Sequence, residues 1–133
     1  MRFLAMILTV VLWVVPASAQ DRDAIEDVIA SQLQAFTDRD VDTAFTHASP
    51  MIRNMFGTSG NFGNMVENGY PMVWDNTNRE FRELEGSGAM VLQRVYVRDA
   101  DGAGWILSYA MLETDDGWKI NGVSVIPAPE LSA

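Results

Sequence analysis

Two turn signals, Asp99-Ala100-Asp101-Gly102 and Thr114-Asp115-Asp116-Gly117, divide the second half of this chain into short runs. Aspartate and glycine tolerate tight backbone angles, so both segments reverse the chain. The runs they separate, Ala89–Arg98, Trp105–Glu113 and Trp118–Ile126, are rich in branched and aromatic residues and read as strands. Phe81–Glu85 adds a shorter strand ahead of them. The result is an antiparallel meander of about four strands. In the third run Trp105, Leu107, Tyr109 and Met111 point one way, while Ile106, Ser108, Ala110 and Leu112 point the other. Neither set is clearly polar. Such a sheet is expected to be covered on both faces over part of its length, by a helix and by a partner subunit.

The first half reads as helices. Ile25, Val28, Ile29, Leu33 and Phe36 recur at helical spacing over Asp23–Asp38, with Gln32 and Gln34 flanking the stripe. Asp23 and Glu26 suggest a capping box at its start. A short second helix follows Asp40 and buries Val41, Ala44, Phe45 and Ala48. Ser49-Pro50 starts a third, with serine as cap and proline at its first position. That helix carries Met51, Ile52, Met55 and Phe56 and ends at Gly57. A further turn or two around Phe62, Met65 and Val66 stops at Gly69. Helices followed by a meander make an α+β domain with the helices on one sheet face.

Residues 1–19 have the three parts of an export signal: Arg2, the uncharged apolar run Phe3–Val15, and Ala17-Ser18-Ala19 after Pro16. The apolar run is shorter than the roughly 20 residues that cross a bilayer. The expected organisation is a signal peptide over 1–19, one domain over 20–126 and a flexible tail over 127–133, with the product periplasmic or secreted. Cleavage would remove Arg2 and shift the formal charge from −9 to −10. That charge, with Arg79, Arg82, Arg94 and Arg98 interleaved among acidic residues, argues against nucleic acid and against anionic membrane surfaces. The chain has no cysteine, so the fold rests on its core alone and a lipoprotein anchor is excluded.

A resemblance covers nearly the whole of the expected domain. Gln32-Leu33-x-Ala35-Phe36, Asp40 with Ala44-Phe45, Ala48-Ser49-Pro50, Phe56-Gly57, Met65-Val66 with Tyr70, and Asp116-Gly117-Trp118-Lys119-Ile120-x-Gly122 are similar to the bacterial family known as domain of unknown function 4864. More broadly, the order of elements resembles the nuclear-transport-factor-2-like cone fold. That resemblance implies a strongly bent sheet wrapped around the first long helix, with a pocket at the wide end. It carries no catalytic residues, because shared architecture is not shared chemistry.

Each candidate for chemistry has a plainer role beside it. His47, the single histidine, could serve as a general base beside a carboxylate and a cavity, or sit at a helix C-terminus as an ordinary surface residue. Asp38, Asp40 and Asp42 alternate as in a calcium loop but lack its glycine and distant glutamate. Asp40 as a cap and Asp42 in a first turn account for them, so no metal and no cofactor is expected. Tyr70, Trp74, Tyr96, Trp105, Tyr109 and Trp118 could line a pocket or pack the core. Arg94, if it shares an inward face with Tyr96 and Met90, needs an anionic partner. The ligand-binding candidates are therefore Tyr70, Arg94, Tyr96 and Tyr109. No phosphate loop, serine-nucleophile motif or nucleotide fingerprint is present. These features favour a non-catalytic domain that binds a small molecule or a protein partner. Two alternatives stand beside it: a cone-fold enzyme using Tyr96 or Tyr109 with His47 or a carboxylate, and a structural homodimer joined through the sheet face.

Overall fold

The computed structural model describes Thr9 and residues 17–129. Most of the expected signal segment, and residues 130–133 of the expected tail, lie outside the described residues. Five helices precede four strands: α1 Ala17–Thr37, α2 Val41–Thr46, α3 Pro50–Phe56, α4 Ser59–Gly69, α5 Pro71–Trp74, β1 Thr77–Glu85, β2 Met90–Arg98, β3 Gly104–Thr114 and β4 Gly117–Pro127. The strands form one antiparallel sheet in sequence order. This is the expected α+β architecture. Among the described residues no helix is long and apolar enough to cross a membrane.

α1 is the spine. Ile25, Ile29, Leu33 and Phe36 have at most 1% of their surface exposed and form the ridge that meets the sheet. The helix begins at Ala17, ahead of the expected start at Asp23. Ala17-Ser18-Ala19-Gln20 contains no breaker and two residues of the best helix former, so Asp23 falls inside the helix and caps nothing. Its C-terminal end is closed by Arg39, a non-glycine residue at φ +59. The Asp40 amide then donates back to Ala35 O at 2.8 Å, satisfying a terminal carbonyl. Side-chain contacts hold Arg39 in this costly conformation. It donates to Trp74 O at 2.8 Å, pairs with Asp75 at 2.5 Å and lies 4.4 Å from the Trp74 ring centroid.

Two of the three expected caps form. Asp40 Oδ1 accepts from the Thr43 amide at 3.2 Å, and Ser49 Oγ accepts from the Ile52 amide at 3.3 Å. Ser49 is fully buried, because its hydroxyl also donates to Asn121 Oδ1 at 2.8 Å. The chain between α2 and α3 thereby joins the sheet edge, with Ala48 in a parallel bridge to Ile120. α4 is longer than expected because Thr58 supplies an N-cap, its Oγ1 accepting from the Asn61 amide. α5, a single turn that opens on Pro71, was not expected from the sequence.

The inner sheet face is set by strict alternation. Val91, Gln93, Val95 and Val97 on β2 are buried, as are Leu107, Tyr109 and Met111 on β3 and Trp118 and Ile120 on β4. Register shifts interrupt β1 twice and the β3–β4 ladder between Ala110 and Met111. Bulges of this kind bend the strands they interrupt, here around α1. Strand β4 also runs to Pro127, one residue into the expected tail, and the Ala128 amide donates to Gly104 O at 2.9 Å.

Candidate functional site

A cavity of about 340 Å³ lies where α1, α3, α4 and the start of α5 meet β4. α1 contributes Gln32 and Phe36, one helical turn apart. α4 contributes Phe62, Met65 and Val66, with Tyr70 and Val73 just beyond it. Ile120 and Val123 form the sheet side. α3 is the roof, with Ile52, Met55 and Phe56 over the void.

Phe62 anchors the aromatic wall. Its ring centroid lies 5.9 Å from that of Phe36, 5.4 Å from Phe45 and 5.7 Å from Phe56, the last nearly edge-on. Among the described residues no charged side chain borders the cavity. Its polar side chains are the Tyr70 phenol and the Gln32 amide.

The four residues expected to bind a ligand are not brought together. Tyr70 lies on the cavity wall, as it caps α4 through its amide at 2.8 Å from Val66 O. Tyr109 is fully buried on the inner sheet face but does not border the cavity. Burial raises the pKa of its phenol, against a smaller opposing pull from Arg79.

Arg94 and Tyr96 do share a face with Met90, but it is the outer one, so the inward placement is corrected. The reason is parity: Gln93, Val95 and Val97 take the inner positions, leaving Arg94 and Tyr96 between them outside. Arg94 finds its anionic partners there, Glu85 at 2.5 Å and Glu83 at 3.6 Å. Tyr96 lies over Gly104, where an added Cβ would come within 2.7 Å of the ring, and its hydroxyl accepts from Arg98 Nε at 3.2 Å.

Among the described residues His47 meets no pocket tyrosine and no carboxylate. Its Nε2 pairs with Ser31 Oγ at 2.9 Å on the outside of α1 and α2. Partial burial lowers its pKa, and the nearby Lys119 charge adds to this. The acidic cluster disperses in the same way. Asp38 accepts from Gln34 Nε2 at 3.0 Å, Asp40 caps α2 and Asp42 accepts from Ser59 Oγ. Among the described residues no group of three potential ligands converges on a metal position.

The sequence reading missed Gln32, Ile52, Met55, Phe62 and Met65 as cavity residues. Gln32 carried a signal. A glutamine next to an apolar helical stripe, one turn before Phe36, is buried only where something answers its amide.

A protein-family model described as Domain of unknown function (DUF4864) matches residues 18–133. The chain belongs to this family. No curated protein matches it.

Solved structures share its fold. An NTF2-like protein of unknown function from Shewanella baltica OS155 superposes with a TM-score of 0.61 at 12% identity, covering 87% of this chain and 100% of that one. A Novosphingobium aromaticivorans protein named "putative aromatic ring hydroxylase" gives 0.58 at 18% identity, covering 90% and 95%. An NTF2-like protein of unknown function from Burkholderia xenovorans LB400 gives 0.52 at 14% identity, covering 86% and 90%. This DUF4864 domain therefore has the NTF2-like fold, as the sequence resemblance implied. At these identities the likeness concerns the fold alone.

Proposed function

We propose that this DUF4864 protein is an exported domain that holds a small, uncharged, largely apolar molecule in the cavity beneath α3. The observation that carries the reading is the wall itself: about 340 Å³ of space bordered mainly by aliphatic, thioether and phenyl groups, with no charge among the described residues. Cavities of this size and character suit small ligands. The absence of charged groups on the wall disfavours ionic ligands, since a buried charge needs a partner. Binding is preferred to catalysis because, among the described residues, the cavity wall has no carboxylate or histidine to move a proton. Export rests on Arg2, the apolar run Phe3–Val15 and Ala17-Ser18-Ala19.

Both parts are tested on protein recovered from the periplasm or medium of an expressing bacterium. The intact mass is expected to begin at Gln20, and a mass that retains Met1 would remove the export reading. The neutral fluorophore N-phenyl-1-naphthylamine is expected to bind saturably at one site. Val123→Trp, a half-buried wall position, is expected to weaken that binding at least about tenfold by filling the void. Fluorescence that never saturates, or that ignores Val123→Trp, would defeat the cavity reading.

A second reading, homodimerisation through the outer sheet face, is favoured by Met90, Leu92 and Ile126, which are 54%, 41% and 58% exposed. Exposed apolar side chains gathered on one face mark association surfaces. Sedimentation equilibrium is expected to give twice the chain mass, and Leu92→Glu to return the monomer. A monomer at high concentration in the unmodified protein would dispose of this reading.

A further inference from the structure

Gln32 is the feature of the cavity that core packing does not explain. It sits in the apolar ridge of α1 with 2% of its surface exposed, and it borders the cavity. A glutamine carries two donor hydrogens on Nε2 and an acceptor on Oε1. The orientation of the amide is fixed by its neighbour, because Nε2 donates to Ala44 O at 3.1 Å and a carbonyl can only accept. Oε1 is therefore the free end. Among the described residues no donor is bonded to it, and it is not one of the buried side-chain atoms sealed away from any partner. An occupant that covers this acceptor without supplying a donor leaves it unanswered, which is costly, so the site favours an occupant that brings one.

We infer that the occupant of the cavity is an apolar molecule ending in a hydroxyl or N–H group, and that Gln32 Oε1 accepts the hydrogen bond that orients it. This inference rests on the ligand-binding reading above. It adds a polarity to the ligand, a ring or chain body against Phe36, Phe62 and Met65 with its donor end toward α1. The chemistry that fits is a phenol, an alcohol or a neutral aromatic N–H compound. Ionised groups do not fit, for want of a counter-charge. Tyr70 is the other polar side chain on the wall and the natural rival for the same role.

Two probes of nearly equal shape separate these roles, 2-naphthol and 2-methylnaphthalene, titrated against the unmodified protein and against Gln32→Met and Tyr70→Phe. A purely apolar cavity prefers the methyl compound, because a hydroxyl loses its water without replacement. With Gln32 accepting, 2-naphthol is expected to bind about fivefold or more tighter. Gln32→Met is expected to reverse that order, and Tyr70→Phe to preserve it.

A preference for 2-methylnaphthalene in the unmodified protein overturns the inference. So does a 2-naphthol preference that Tyr70→Phe abolishes. Both tests leave Gln32 unchanged, so they decide even if Gln32→Met fails to fold. If neither probe binds, the cavity reading itself fails, an outcome distinct from binding without the expected preference.

Discussion

Phe36→Ala is expected to lower the free energy of unfolding by about 3–5 kcal/mol, the range for removing a buried phenyl group. Phe36 is 1% exposed, and its ring packs at 5.9 Å from Phe62 and 6.1 Å from Trp74. It also borders the cavity, so truncation would join a new void to an existing one. Cost rises with residual cavity volume when the surroundings cannot close in, which places this change toward the upper end. Domains of this size are stable by only about 5–15 kcal/mol. With no cysteine in the chain, no disulfide compensates for the loss. Urea unfolding of the two proteins measures it directly. A loss below about 1 kcal/mol would mean that the walls collapse, and that the cavity is not held open by its own packing.

Tyr109→Phe is expected to have the opposite sign. Tyr109 occupies the inner face of β3, flanked by hydrogen-bonded strands on both sides, and is fully buried. Its hydroxyl reaches no hydrogen-bond partner among the described residues. Directly across on β2 is Gln93, whose Nε2 donates to Arg82 O and Arg94 O while its Oε1 is likewise unmatched. A desolvated hydroxyl without a partner costs about 1–3 kcal/mol, so deleting one oxygen and keeping the ring is expected to raise stability by about 1 kcal/mol or more.

The pH dependence supplies a second check on the same substitution. Burial raises the folded-state pKa of the phenol above its ordinary value of 10.0. The unfolded chain therefore loses this proton first. The unmodified protein should lose stability as pH rises above about 10, a slope that Tyr109→Phe removes. Lower stability of Tyr109→Phe at neutral pH would show that the hydroxyl is satisfied after all.

Much of the architecture could be read from the residues, because local chemistry decides it. Asp40, Ser49-Pro50 and Gly57 mark helix ends through the backbone groups they satisfy or the φ they adopt. The Asp-Gly turns fix the meander in the same way. Elsewhere boundaries moved: α1 runs back to Ala17 past the Asp23 signal, and α5 opens on Pro71, a residue that also suits a loop.

The site was harder to read. Alternation along β2 shows that Arg94 and Tyr96 share a face, but not which face the helices cover. Both faces of this sheet carry apolar residues, so composition could not break the tie. The cavity is less visible still, since its walls come from separate elements and its polar contact sits within a stripe that otherwise reads as core.

α3 is the one element of the cavity whose residues are all at least partly exposed, and Met55 on its outer turn is 65% exposed. The Ser49 cap and the Gly57 ending define this helix, and neither depends on the identity of Ile52, Met55 or Phe56. The roof of the cavity can therefore change in sequence while the spine of α1 and the inner sheet face stay constant. In evolutionary terms, a roof built this way can vary at less cost to the scaffold than Phe36, whose ring serves the core and the cavity wall at once.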